Sequence, residues 1–114
     1  SPRALVMLFT GACSRRRQDA MTALASALIE SGKQVAVLVF DEDQAAFPAQ
    51  TMHVPLGSAG DLAAVGRRLF AAMRELDLAG ADVILVADFG REGLGGALWD
   101  RLLRAAEGRV IHVA

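Results

Sequence analysis

The chain has 114 residues, of which 54% are hydrophobic, and its formal net charge is −1. This length and composition fit one globular domain with a sizeable core, and the charge provides no general attraction to nucleic acid or to an acidic membrane. No apolar run approaches the roughly 20 residues that cross a bilayer, and the single Cys13 cannot form an internal disulfide, which is compatible with a cytoplasmic location.

The first part of the chain predicts two buried strands with a helix between them. Residues 4–9 and 35–40 are continuous apolar runs of strand length. Gly32 provides a left-handed stop for the intervening helix. The apolar residues of that helix repeat at helical spacing: Met21, Leu24, Ala25, Leu28 and Ile29.

The middle of the chain predicts a weak strand followed by a long helix. Residues 44–50 are too few for a full helix, and residues 52–56 follow as a third strand. Pro55 cannot donate to a sheet, which indicates an edge position. A turn at residues 57–61 then opens a helix that ends near Gly80. The apolar stripe of this helix is Leu62, Val65, Leu69, Met73 and Leu76.

The last third of the chain repeats the strand, turn and helix arrangement. Residues 83–87 predict a fourth, fully buried strand, and the glycine-rich turn after it opens a third helix. Leu94, Leu98 and Leu102 share one stripe of that helix, and residues 110–114 predict a fifth strand.

This order of elements predicts an α/β fold, specifically a Rossmann-like three-layer domain with a five-stranded, mostly parallel sheet and helices on both faces. The doubly wound pattern predicts the strand order 3-2-1-4-5, with the third strand at an edge.

The sequence lacks the motifs of common catalytic and nucleotide sites. The only lysine, Lys33, is not in a Walker pattern, and Leu98 stands where a dinucleotide motif requires its third glycine. No serine lies in a nucleophile elbow, and His53 and His112 lie on separate strands without ligand-like spacing. Cys13 has no motif around it, so we predict a small, partly buried residue. The sequence therefore predicts no catalytic residue and no metal site.

Charged residues cluster at two places in the predicted loops. Four acids at strand ends favour turn capping over a divalent-cation site: Asp41, Glu42, Asp43 and Asp88. Residues 15–17 are three consecutive arginines just before the first helix, and we favour a solvated loop there over a phosphate or RNA contact.

Two turns at the predicted carboxyl edge of the sheet are candidates for ligand or domain contact. Each aims a helix N-terminus outward, where a phosphate or a carboxylate binds favourably. The alternative is that their glycines only form turns. Ser58 and Asp61 are also candidate N-caps. The candidate residues are Ser58, Gly60, Asp61, Arg91, Gly93 and Gly95.

The chain resembles a known family from Gly57 onward. The motifs are Gly57-Ser58, LFAAMRELD at residues 69–77 and GLGGALWDRLLRAA at residues 93–106. Together they resemble the C-terminal accessory domain of long-form, Sua-type threonylcarbamoyl-AMP synthases of the YrdC family. Asp100 and Trp99 depart from the asparagine and aliphatic residues expected there. Residues 1–3 resemble the end of an interdomain linker.

The resemblance implies that residues 1–114 form a single C-terminal accessory domain of a longer protein. In this family an N-terminal YrdC-type domain makes threonylcarbamoyl-AMP from threonine, bicarbonate and ATP, for the threonylcarbamoyladenosine modification of tRNA. The resemblance therefore places ATP, Mg and the catalytic residues in that other domain, with no cofactor in this one.

The implied partner is the YrdC-type domain with its linker, and no direct nucleic-acid or membrane contact is expected. A homodimer is a further candidate assembly. The alternative function is an independent nucleotide- or small-molecule-binding Rossmann-like module that uses the two glycine turns.

Overall fold

The computed structural model describes residues 4–114, so the predicted linker end at residues 1–3 lies outside the described residues. The described part contains five strands, three α-helices and one short 3-10 helix, as predicted for the strands and the main helices. In chain order they are β1 (Leu5–Thr10), α1 (Ser14–Glu30), β2 (Val35–Leu38), the 3-10 helix (Asp41–Ala46), β3 (Met52–His53), α2 (Leu62–Leu78), β4 (Val83–Ala87), α3 (Leu94–Ala105) and β5 (Val110–His112).

All five strands form one parallel sheet in the order β3-β2-β4-β1-β5. The α/β class and the edge position of the third strand are confirmed. The predicted order 3-2-1-4-5 is wrong, because β4 lies between β2 and β1. Leu85 of β4 pairs with Met7 on one side and with Val37 on the other.

The central position of β4 follows from its composition and from the path of α1. The first four residues of β4 are buried, whereas Leu5 at the start of β1 is 43% exposed. Met21 and Ala25 of α1 pack in the same core as Val83 and Leu85 of β4. The connection from β1 to β2 therefore passes over β4, a skip that the handedness rule for crossovers allows.

Hydrophobic cores on the two faces of the sheet make the domain three-layered. One core joins α1 to the sheet through Phe9, Met21, Ala25 and Leu85. The other core joins α2 and α3 to the opposite face, and its buried helical side chains are Val65, Leu69, Ala72, Leu76, Leu98 and Leu102. No helix within residues 4–114 is long and apolar enough to cross a membrane.

Helix α1 begins earlier than predicted. It starts at Ser14, so the three arginines at residues 15–17 lie in its first turn and not in a loop before it. That turn contains no acidic residue, and the N-cap Cys13 makes no side-chain capping hydrogen bond. Positive charge there is unfavourable for the helix dipole. At the other end, Gly32 has φ +90° and provides the predicted left-handed stop.

Leu94 also departs from the prediction. It was expected on the apolar stripe of the third helix, yet it is 46% exposed at the first position of α3. Of the predicted stripe, Leu98 and Leu102 are buried.

Candidate functional site

The carboxyl ends of β1 and β4 form the topological switch point of this sheet. The chain leaves β1 for α1 on one face, and it leaves the neighbouring β4 for α3 on the opposite face. Adjacent connections that diverge in this way open a crevice between the two strand ends, where α/β proteins commonly bind ligands.

A threonine hydroxyl lies at the centre of this crevice. Thr10 ends β1 and is 7% exposed. Its hydroxyl donates to Oδ2 of Asp88, the first residue after β4, and accepts from Nη2 of Arg91 at 3.2 Å. Oδ1 of Asp88 accepts from the backbone N–H of Gly90 at 3.1 Å. The loop after β4 is therefore tied to the end of β1 through one buried hydroxyl.

Arg91 is held in place from a second direction. Its guanidinium carbon lies 3.5 Å from the ring centroid of Trp99 on α3. Trp99 itself is half-buried and packs on the core beneath α2 and α3. Cation–π contact and the hydrogen bond to Thr10 together restrict an otherwise exposed side chain. The arrangement presents a positioned guanidinium, a group that binds carboxylates and phosphates.

Two clefts flank this cluster, and Asp88 lines both. The smaller cleft, of about 330 Å³, lies beside Arg91, Gly11 and His112. The larger, of about 360 Å³, lies between α1 and the ends of β2 and β4. Its walls combine arginines and acids with aromatic and apolar side chains: Arg15, Arg17, Asp43, Phe40, Phe47 and Phe89.

The glycines of the α3 turn have structural reasons to be present. Gly93 is the N-cap of α3 and has φ +55°, a conformation that L side chains adopt rarely. A Cβ atom on Gly95 would lie 2.8 Å from the carbonyl oxygens of Phe89 and Gly90. The close approach of the loop to α3, which positions Arg91, therefore depends on Gly95. A direct ligand contact of Gly93 or Gly95 stays a prediction.

Backbone N–H groups of the turn before α2 donate to carboxylates of the same chain. Asp61 is the N-cap and accepts from the N–H of Ala64 at 3.1 Å, as predicted. Oδ1 of Asp41 accepts from Leu56 at 2.9 Å and from Gly57 at 3.2 Å. Because the chain's own acids take up N–H groups of this turn, the geometry does not favour an outside anion there.

Glu42 completes this arrangement. Its Oε2 accepts from the backbone N–H of Ala59 at 3.0 Å, next to the exposed Ser58 and Gly60. No hydrogen bond or ion pair within residues 4–114 joins this turn to Arg91. The six predicted contact residues therefore fall into two separate groups. Contact by Ser58, Gly60 and Asp61 with a ligand or domain stays a prediction.

The cysteine and the two histidines do not lie together. Cys13 is exposed, so the prediction of a partly buried thiol is wrong, because α1 begins directly after it and turns it outward. His53 and His112 are exposed on β3 and β5, at opposite edges of the sheet. In the part of the chain that the structure describes, no three His, Cys, Asp or Glu side chains are grouped to hold a metal ion.

Arg91 is one of the predicted contact residues, and its contact with a ligand or domain stays a prediction. The residues that position it were not predicted. Thr10 at the end of an apolar strand is typical of an ordinary turn residue, and Trp99 had no assigned partner. The available signal was the prediction that the first and fourth strands are neighbours, which brings Thr10 next to Asp88.

Comparison with known proteins gives a consistent family. The family model described as "Threonylcarbamoyl-AMP synthase, C-terminal domain" matches residues 1–107. The chain is 30% identical to the threonylcarbamoyl-AMP synthase of Pyrococcus abyssi over 99% of its own length and 31% of that protein. It is 33% identical to the Bacillus subtilis threonylcarbamoyl-AMP synthase over 73% of its length and 24% of that protein. The chain thus spans about a quarter to a third of these relatives.

Solved structures agree with this result. The Sua5 protein of P. abyssi, crystallised with L-threonine, matches with a TM-score of 0.82 and 30% identity, over 100% of this chain and 31% of that one. The C-terminal Sua5 domain of Pyrococcus horikoshii matches with a TM-score of 0.69 and 27% identity, over 99% of this chain and 100% of that one. The P. horikoshii domain was therefore crystallised as a chain of its own.

Proposed function

The chain belongs to the family of threonylcarbamoyl-AMP synthase C-terminal domains, and from this we propose that it is the accessory domain of a longer L-threonylcarbamoyl-AMP synthase. In that role it packs on an upstream YrdC-type catalytic domain and its linker, in the cytoplasm. The parent protein makes threonylcarbamoyl-AMP for the threonylcarbamoyladenosine modification of tRNA. The relatives support this proposal, since this chain corresponds to 31% and 24% of their lengths.

The site supports an accessory role over catalysis by this domain alone. A hydrolytic or transfer reaction needs a nucleophile or base aligned with a group that stabilises developing charge. Thr10 is 7% exposed and its hydroxyl is bonded to both Asp88 and Arg91, so little of that oxygen is open to a substrate atom. These bonds, with that of Gly90 to Asp88, hold the loop after β4 in position, which supports a structural role for them. ATP and Mg are assigned to the catalytic domain.

We assign the contact surface to the carboxyl edge of the sheet, around Thr10, Asp88 and Arg91. The observation that carries this assignment is the positioned guanidinium of Arg91, which stacks on Trp99 and projects from the switch point. An independent nucleotide-binding module would need an open anion cradle at a glycine turn, and the α2 turn is occupied by Asp41 and Glu42. The homodimer and the absence of direct RNA contact stay predictions.

The activity of the isolated domain tests the assignment of roles. We expect residues 1–114, incubated with ATP, threonine and bicarbonate, to release no pyrophosphate above background, because the domain lacks an aligned catalytic set. The full-length protein at the same concentration is the positive control and should release pyrophosphate. Sustained turnover by the isolated domain would overturn the accessory role.

A further inference from the structure

We propose that Arg91 is the receptor for one carboxylate side chain, an Asp or Glu from the part of the full-length synthase outside these 114 residues. This inference rests on the proposed function, because it supplies a specific contact for the packing of the two parts. It assigns a partner group to a residue whose guanidinium is positioned but unpaired within residues 4–114.

Arg91 is fixed in place by the domain itself. Its Nη2 donates to Thr10 at 3.2 Å, and its guanidinium lies on the Trp99 ring at 3.5 Å from the centroid. Thr10 is buried and Trp99 is half-buried, so both supports are anchored in the domain. A side chain that is ordered before binding loses less conformational entropy when its partner arrives.

Most donors of Arg91 have no partner among the described residues. An arginine carries five N–H donors, and within residues 4–114 one of them is used, in the bond to Thr10. The nearby Asp88 makes no ion pair with Arg91 there, and its two oxygens accept from Thr10 and Gly90. The open donors form the planar fork that matches a carboxylate.

Among the described arginines at this edge, Arg91 is the one held both by a side-chain hydrogen bond and by an aromatic ring. Arg15 pairs with Asp19 at 3.4 Å on the same helix. Arg17 donates to the carbonyl of Gly11 at 2.7 Å, and Arg16 donates to the carbonyl of Ala114 at 3.5 Å. Arg91 is therefore the cation best placed to receive a group from outside.

The geometry of Arg91 suits a carboxylate side chain. Asp88 lines the same cleft as Arg91, beside the exposed His112. The planar guanidinium of Arg91 matches the two oxygens of a carboxylate side chain, which can accept two parallel N–H bonds from it. One planar fork next to one fixed acid suits a single Asp or Glu side chain.

Hydrogen exchange on the full-length protein tests the inference. The isolated domain is a valid reference because it has its own two cores and its P. horikoshii relative crystallised alone. We expect the amides of residues 88–96 to exchange more slowly in the full-length protein than in the isolated domain. In full-length Arg91→Ala, that exchange should be about tenfold faster, as for the loss of one charge-assisted hydrogen-bonded pair. The same substitution in the isolated domain removes only the contacts to Thr10 and Trp99 and should change the exchange rate less. Arg91→Lys, which keeps the charge and loses the fork, should give an intermediate rate.

Arg101→Ala is the matched control. Arg101 is also an exposed arginine over an aromatic ring, 3.9 Å from the centroid of Phe70, but it lies in the groove between α2 and α3. This variant should leave the exchange of residues 88–96 unchanged. An unchanged rate in Arg91→Ala as well would overturn the inference and leave the packing of the domain standing.

Two further outcomes separate the alternatives. If residues 11–18 and 88–96 are no better protected in the wild-type full-length protein than in the isolated domain, the edge does not pack and the proposed contact surface itself fails. If millimolar inorganic phosphate slows exchange at residues 88–96 in the isolated domain, and Arg91→Ala abolishes that effect, Arg91 binds a free anion and the carboxylate assignment is wrong.

Discussion

Thr10 and Thr51 are threonines buried to the same degree, and they differ in hydrogen bonding. Thr10 is 7% exposed and Thr51 is 6% exposed. The hydroxyl of Thr10 has two side-chain partners, whereas Oγ1 of Thr51 has none among the described residues. A buried hydroxyl costs free energy unless a hydrogen bond offsets the loss of water. The pair therefore isolates what the hydroxyl of Thr10 contributes to the site.

We predict opposite effects for the same substitution at these two positions. Thr10→Val should lower the free energy of unfolding by about 1–3 kcal/mol, because it leaves Asp88 without its partner, while Thr51→Val should raise it by about 1 kcal/mol. Urea unfolding of the isolated domain measures both values. Equal shifts in the two variants would show that the hydroxyl network around Thr10 does not stabilise the fold.

Gly66 and Gly95 are two helical glycines that differ in the space around them. Gly66 lies inside α2, where an added Cβ would meet only the methyl groups of Leu98, at 3.5 and 3.7 Å. Gly95 lies in the first turn of α3, where the added atom would be 2.8 Å from two backbone carbonyl oxygens. The first glycine is tolerated by its helix, and the second is required by the packing of the Arg91 loop.

Alanine at each glycine should therefore have opposite consequences for stability. Gly66→Ala should raise the free energy of unfolding by about 0.5–1 kcal/mol, since alanine is the better helix former. Gly95→Ala should lower it by about 1–3 kcal/mol through overpacking against the loop. Thermal unfolding of both variants checks this, and a stabilised Gly95→Ala would show that the loop does not need its close approach to α3.

Local patterns predicted the elements well, and long-range pairing was harder to predict. Buried strands and amphipathic helices have periodicities that a single sequence displays, and turn glycines such as Gly32 and Gly93 have positive φ values, as their positions suggest. The strand order was mispredicted because nothing local reports that α1 passes over β4. The exact start of α1 was missed because three arginines in a first turn oppose the helix dipole.

At the scale of the whole molecule, the sequence predicts where the candidate site lies but not the long-range contacts that build it. Its location at the carboxyl edge follows from the α/β class alone, and Arg91 was among the predicted contacts. The link from Arg91 to Thr10 joins residues 81 positions apart in the chain. That contact depends on the final packing of the loop after β4 against β1 and α3, which no sequence pattern specifies. The same contact gives the domain a fixed charged group at its edge.

We propose above all that this domain supports catalysis by another domain of the full-length protein and has no synthase activity of its own. The most direct measurement is pyrophosphate release from ATP, threonine and bicarbonate by the full-length protein and by a form that ends before this domain. We predict that the shortened protein loses activity by about tenfold or more, because small misplacements of catalytic groups carry costs of that size, while its catalytic domain stays folded by circular dichroism. A folded, shortened protein as active as the full-length enzyme would contradict the account.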